Sequence, residues 1–408
     1  MSTFGRHRLP EWPLDPGIVY LNHGTVGVTP RRVLEAQQAL RDEIERSPSR
    51  FMLRELSGGG ASASKSKPRL RAAAEAVAEF LGADGEDLVF VENATTGVNA
   101  VLRSLEFGAG DDIVITDRVY GAVEHAARHA AGRRGASVRR VELPEPVRDP
   151  AQVTEAIDDS IGAATKLVIA DHITSESALL FPIAEIAARC RAKGVPLLVD
   201  GAHGPGAIAV DIPSIGADWY TGNLHKWGWS PRSCAILWTA PARQAETRPA
   251  VISWGYEQGY LLEFDWAATR DPTPMLAAPE GIAFMRELGL DDMRRWNHTL
   301  AWQGARILAA RWETDFVTPE SMIGTMATVP LPAEYGVTSD HAVRLRAALL
   351  FEDGIEVQMH PWSGRLWARI SGQVYNEMSD VERLAEAVLA RRPVARRGEG
   401  AEAGTRTG

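Results

Sequence analysis

Only five lysines occur in the 408 residues: Lys65, Lys67, Lys166, Lys193 and Lys226. Lys226 alone stands in surroundings that would make an amine reactive. It follows an apolar run in Tyr220-Thr221-Gly222-Asn223-Leu224-His225-Lys226-Trp227 and is flanked by aromatic side chains. Removal from water disfavours the ammonium form and leaves a nucleophilic amine, as Schiff-base chemistry requires. The other four fit the ordinary role of a solvated lysine better: Lys65 and Lys67 lie in a Gly/Ser loop, Lys193 ends a helical pattern before Gly194, and Lys166 opens a strand.

Two further groupings could serve such an amine. Leu197-Leu198-Val199 runs directly into Asp200-Gly201-Ala202-His203. Ligands of open parallel sheets bind at strand C-termini, and a carboxylate emerging there from a buried strand needs a cation beside it, a protonated pyridine nitrogen being one. A turn aspartate capping the next segment is the equal alternative. Glu92-Asn93-Ala94-Thr95-Thr96-Gly97 is a strand end passing into a helix, where free N–H groups favour a phosphate. Capping by Thr95 or Thr96 would explain that stretch as well.

These groups need a scaffold, and composition bounds it. The length exceeds one ordinary core, so two domains are expected. The net charge of -9, without a basic block, argues against nucleic acid and an anionic membrane as partners. Two cysteines without ligand spacing indicate neither disulfides nor a metal site, and a reducing cytoplasm fits. No stretch reaches the ~18 apolar residues of a membrane span.

Short β-branched runs at Leu88 to Val91, Asp112 to Thr116, Ser137 to Leu143, Lys166 to Asp171, Val195 to Asp200, Trp219 to Thr221 and Cys234 to Trp238 alternate with helical patterns. That alternation predicts an α/β fold with a large, mainly parallel sheet. Thr29 to Arg46 predicts an amphipathic helix, Thr29-Pro30 forming its N-cap and first turn, with Val33, Ala36, Leu40 and Ile44 on one face. The expected division is an N-terminal arm over 1–20, a large domain over 21–275 with the helix over 29–46 packing near the small domain, a smaller C-terminal α+β domain over 276–393, and a disordered tail over 394–408. Ser57 to Ser66 reads as a mobile loop rather than a phosphate cradle.

Six segments in order carry a resemblance. They are Leu21-Asn22-His23-Gly24-Thr25, Ala94-Thr95-Thr96-Gly97, Asp171-His172-Ile173-Thr174-Ser175, Asp200-Gly201-Ala202-His203, Gly222-Asn223-Leu224-His225-Lys226-Trp227 and Arg369-Ile370-Ser371-Gly372-Gln373-Val374-Tyr375-Asn376. Over most of its length the chain resembles the aminotransferase class V branch of fold-type I pyridoxal-phosphate enzymes, in its isopenicillin N epimerase-like group. The resemblance implies a seven-stranded large domain, pyridoxal 5′-phosphate (PLP) as cofactor, and a homodimer with shared active sites.

Residue by residue, it implies that Lys226 holds the cofactor and then moves a substrate α-proton, that Asp200 keeps the pyridine nitrogen protonated, and that His203 lies by the ring oxygen. Tyr120 would stack on the ring, with Ser175 beside it. Thr95, Thr96, Asn223 and His225 would surround the phosphate, and Thr269 would reach the phosphate of a neighbouring subunit. Arg369, with Asn22 at the substrate side, would clamp the substrate carboxylate. The chain departs from the family where Ser177-Ala178 replaces a Thr-Gly pair and Ala268-Thr269 replaces a Gly-Thr pair.

The expected activity begins with loss of the α-proton of a modified amino acid, epimerisation first, in specialised metabolism. A carbon–sulfur lyase acting on a cysteine conjugate is the nearest alternative, followed by decarboxylation or oxidative deamination. The sequence names no proton donor for the second face that epimerisation requires. A nicotinamide dehydrogenase is disfavoured, because Gly204-Pro205-Gly206 leads into extended chain instead of a helix. A catalytically silent binding protein is disfavoured by the joint presence of Lys226, Asp200 and Arg369.

Overall fold

The computed structural model describes residues 3–57 and 67–392. Residues 58–66 of the Gly/Ser stretch and the expected tail lie outside them. In chain order the strands are β1 (Val19–Tyr20), β2 (Leu88–Val91), β3 (Asp112–Thr116), β4 (Ser137–Val141), β5 (Thr165–Asp171), β6 (Leu197–Asp200), β7 (Trp219–Asn223), β8 (Ala235–Thr239), β9 (Met326–Pro330), β10 (Ile355–Glu356), β11 (Gln358–Trp362) and β12 (Arg365–Ser371). Seven of them form one sheet in the order β2-β8-β7-β6-β5-β3-β4. Only β8 runs antiparallel to its neighbours, β2 and β7.

Helices cover both faces of this sheet, so its strands other than the edge strand β4 are buried without alternation. Successive residues instead serve opposite cores: Val89, Ile113, Ile169 and Leu198 join one, while Phe90, Val114, Val168 and Val199 join the other. The edge strand β4 exposes Arg139 and Arg140, charges that discourage pairing with another edge.

A third core lies against the antiparallel sheet β11-β12-β9. Period-two alternation sorts its strands: Leu366, Ala368, Ile370, Met359, Ala327 and Val329 enter that core. Trp367, Arg369, Thr328, His360 and Trp362 therefore share the opposite face. The chain start is tied to both parts. Phe4, Leu9 and Trp12 pack in the large core, whereas β1 pairs parallel with β10, Val19 against Ile355.

Helix Arg31–Arg46 differs from expectation at its start. Pro30 is the N-cap residue, and Thr29 instead donates its hydroxyl to Ser230 O at 3.2 Å. The helix buries Val33 and Gln37, and packs on the helices Thr273–Leu276 and Ala278–Leu288. Ile282, Phe284 and Met285 of the latter helix belong to the large core, whereas helix Leu290–Trp312 contributes to both cores.

Both departures from the family pattern are left-handed: Ala178 has φ 57 and Ala268 has φ 128. Each alanine holds a backbone conformation that glycine adopts without a Cβ penalty. Ala178→Gly should therefore raise unfolding free energy by up to about 1 kcal/mol, and Ala268→Gly by more, measured by urea titration. Destabilisation by either glycine would contradict the strain.

Candidate active site

The C-terminal ends of β2, β5, β6 and β7 deliver Asn93, Asp171, Asp200 and Asn223 to one pocket, whose wall also holds Thr25, Thr95, Tyr120, Ser175, His203, His225 and Lys226. Eight of the twelve residues singled out from sequence thus meet there. Lys226 follows β7 by three residues, and its neighbourhood admits no side chain on Gly27. That residue has φ 68, and a Cβ would lie 2.0 Å from His225 O and 2.8 Å from Lys226 Cα.

Lys226 Nζ lies 3.2 Å from His203 Nε2, and Trp227 Nε1 lies 3.3 Å from His203 Nδ1. An indole N–H can only donate, so Nδ1 must accept and the imidazole proton sits on Nε2. A proton there points at the amine and suits its neutral form. Burial acts in the same direction, and with the Arg369 charge it lowers the Lys226 pKa to about 8, against the opposing pull of Asp200 and Asp171. Burial, then Lys226, hold His203 well below the usual histidine range.

The pairing of β5 with β6 sets Asp171 opposite Asp200. Asp200 Oδ1 accepts the Ala202 N–H at 3.0 Å, while Asp171 Oδ2 is buried without a partner. Burial raises the pKa of both carboxyls, and Asp200 raises that of Asp171 further. Two adjacent buried carboxyls with a vacant acceptor suit one cationic N–H donor. Asp171 escaped sequence reasoning, although it ends an apolar strand just as Asp200 does.

At the other end of the pocket, helix Ala94–Ser104 opens. Asn93, not Thr95 or Thr96, caps it, accepting the Thr96 N–H at 2.9 Å. The Thr96 hydroxyl also turns to Asn93, at 3.2 Å, so Thr96 does not line the pocket. Asn223 Oδ1 takes the Ala94 N–H at 2.8 Å, leaving its amide nitrogen as the donor. His225 Nδ1 meets Cys234 O at 3.0 Å, and burial lowers its pKa to about 4. Tyr120 stands at the pocket wall, 46% exposed. Thr269 is exposed and outside this pocket.

Arg369 is 3% exposed, and its guanidinium meets only neutral oxygens: Ser175 O, Thr25 Oγ1 at 2.7 Å and Asn22 Oδ1 at 3.5 Å. Nε has no partner, and among the described residues no carboxylate forms an ion pair with this arginine. Burial lowers its pKa to about 10. Asn22 holds the arginine in place and is itself held by Glu356, 2.7 Å from its amide. Thr25 was not singled out as a site residue. Its link to Arg369 crosses from the chain start to the third core, which no local pattern reveals.

An amine near neutrality, a carboxylate pair with an open acceptor, hydroxyl and amide donors at a helix start, and an unpaired guanidinium match the parts of PLP and an α-amino acid. The fold and this donor set define a fold-type I PLP-dependent enzyme. The chain belongs to the aminotransferase class-V family, matched over residues 19–384. It is 32% identical over 416 residues to a probable chloroplastic L-cysteine desulfhydrase of Arabidopsis thaliana, covering 95% of this chain and 84% of the relative. It is 32% identical over 395 residues to isopenicillin N epimerase of Streptomyces clavuligerus, covering 92% and 96%. Its fold is similar to that of a cysteine desulfurase from Thermococcus onnurineus, with a TM-score of 0.77, 20% identity, and coverage of 96% and 98%. Among the described residues no group of side chains could hold a metal, and no helix is long and apolar enough to cross a membrane.

Only the neutral amine attacks an aldehyde. Reconstitution of the apoenzyme with PLP should therefore accelerate with pH and level off above about 8, well short of the ordinary lysine value of 10.5. In Trp227→Phe the histidine proton is released to Nδ1, Nε2 can accept from the ammonium, and the midpoint should move upward. A midpoint unmoved by that change would remove Trp227 from the arrangement.

Proposed function

We propose that this enzyme takes the α-proton from an amino acid carrying sulfur on its β-carbon and expels the sulfur group, a carbon–sulfur lyase reaction. The observation that carries this reading is the single amine of the pocket, Lys226, set between a carboxylate pair and an uncompensated arginine. Bound in the pocket, PLP would supply an electron sink for the pair left at Cα. Lys226 would hold it, with Asp200 and Asp171 at the pyridine nitrogen, His203 at the ring oxygen, Tyr120 and Ser175 flanking the ring, and Thr95, Asn223 and His225 toward the phosphate.

Arg369 fixes the substrate carboxylate by a bidentate pair. The neutral amine of Lys226 then accepts the α-proton, and the resulting ammonium is the donor for the sulfur that leaves with the C–S electron pair. One group on one face suffices for both transfers. The sulfur leaves as a free thiol, because Cys190 and Cys234 are 1% and 0% exposed, and burial pushes each thiol up to about 12. Neither can take sulfur onto the protein.

Epimerisation is the second reading, favoured by one observation: the partly exposed Tyr120 offers a hydroxyl from which a second face could be protonated. Incubation with S-substituted cysteines in deuterated water separates the two. Pyruvate and ammonia are expected; α-deuterated substrate with inverted configuration, lost in Tyr120→Phe, would replace the lyase reading by the epimerase one. Lys226→Ala should abolish turnover. Arg369→Ala should lower kcat/KM at least about a hundredfold for substrates with an α-carboxylate.

We further infer that two copies share each site. Thr269 is exposed away from its own pocket, and the patch formed by Leu53, Val251, Ile252, Trp254 and Tyr256 is apolar, Trp254 being 85% exposed. A second copy covering that patch would bring its own Thr269 to the phosphate end. Trp254→Glu should halve the mass measured by sedimentation and weaken PLP retention. An unchanged mass with full retention would count against sharing.

A further inference from the structure

Beside the carboxylate site lies a second cleft that the reaction above does not use. Its wall continues the pocket's own: Arg118 and Val119 precede Tyr120, and Glu176 and Ser177 follow Ser175. Its floor is the polar face of the small sheet. Arg369 pairs with Thr328 across β12 and β9, and His360 pairs with Trp367 across β11 and β12. Moving away from Arg369, that face presents Thr328, His360, Trp367 and Trp362 in turn.

The charges of this cleft are unbalanced. Arg118, its one arginine, is already consumed: it pairs with Glu145, lies 3.6 Å from Asp117, and stacks 4.1 Å from the Trp362 ring centre. Glu176 and Asp315 form no ion pair among the described ones, and the positive charge that acts on Glu176 is that of Arg369, which the substrate carboxylate takes up. Phe316, Trp362 and Trp367 supply aromatic faces beside them. His360, 7% exposed, contributes a ring nitrogen, Nδ1, that is buried without a partner. Burial and the neighbouring Arg369 hold that imidazole neutral, at a pKa of about 4, so it adds no positive charge.

We propose that this cleft receives the far end of the substrate's side chain, and that this end is cationic, an alkylated ammonium or a similar group. The proposal rests on the placement of the substrate carboxylate at Arg369. Carboxylates in excess of the cations around them, next to aromatic faces, attract a cation and repel an anion. With Arg369 taken by the substrate carboxylate, an anionic side chain would meet Glu176 and Asp315 with no arginine left to offset them. The inferred substrate is thus an amino acid whose ends are read separately, the carboxylate by Arg369 and the positive terminus by this cleft.

The test is a titration of the holoenzyme, followed by the cofactor absorption band, with three amino acids that lack a β-leaving group. They are Nε-trimethyl-lysine, its carbon isostere 2-amino-7,7-dimethyloctanoic acid, and the anionic α-aminopimelate. The trimethylated ligand should bind at least about ten times more tightly than the isostere, and the anion most weakly. Glu176→Gln combined with Asp315→Asn should erase most of that preference, read as the ratio of the trimethylated ligand's affinity to the isostere's. No saturable shift with the trimethylated ligand, equal binding of all three, or a preference that survives the double substitution would overturn the proposal. Binding is read without any bond to sulfur, so failure of the lyase reading, seen as absent pyruvate from S-conjugates, is a separate result.

Discussion

A guanidinium removed from water and given only neutral oxygens remains an open demand for an anion. Arg369 is such a group, and much of the surrounding structure keeps it so. The Ser175 carbonyl, the Thr25 hydroxyl and Asn22 satisfy its geometry without satisfying its charge. The Glu176 carboxylate acts on it from a distance without forming an ion pair, so the demand is not met within the protein. The same positive charge reaches Lys226, where it adds to burial in keeping the amine uncharged. One residue thus contributes both to substrate binding and, after burial, to base strength.

The cost of these buried charges is met by the sheet. Parallel strands end on one side, and their last residues can be polar because backbone pairing stops there. Asp171 and Asp200 are adjacent because β5 and β6 are, and Lys226 comes close because β7 lies beside β6. The carboxylate pair stabilises positive charge at one end of the pocket, and the small polar groups around Asn93 leave room for negative charge at the other. The polarity of the site is thus a property of strand order.

The large sheet was legible because each of its strands is a short apolar run bounded by turn residues. Asp200 and Lys226 were legible for the same reason, as polar residues directly after such runs. Asp171 obeyed that rule and was passed over because it sat inside a longer motif. Asn93 took the capping role assigned to Thr95 or Thr96, since three polar residues within four positions offer the backbone equivalent acceptors. Helix Ala278–Leu288 reads as amphipathic from sequence, but periodicity does not say which core its apolar face joins. The cleft beyond Arg369 was illegible altogether. Glu176, Asp315 and Trp362 come from three distant segments, and only the fold makes them neighbours.

The strand pairing of Val19–Tyr20 with Ile355–Glu356 carries a consequence in time. Arg369 emerges from the ribosome 347 residues after Asn22. Until Ile355 and Glu356 emerge the first strand lacks its partner, and until Arg369 follows, the residues that will cradle it are part of an unfinished surface. The large sheet can close on its local crossovers much earlier, since its contacts are nearer in sequence. The cofactor pocket and the substrate clamp are therefore completed at different stages of the chain's own production, with the clamp last.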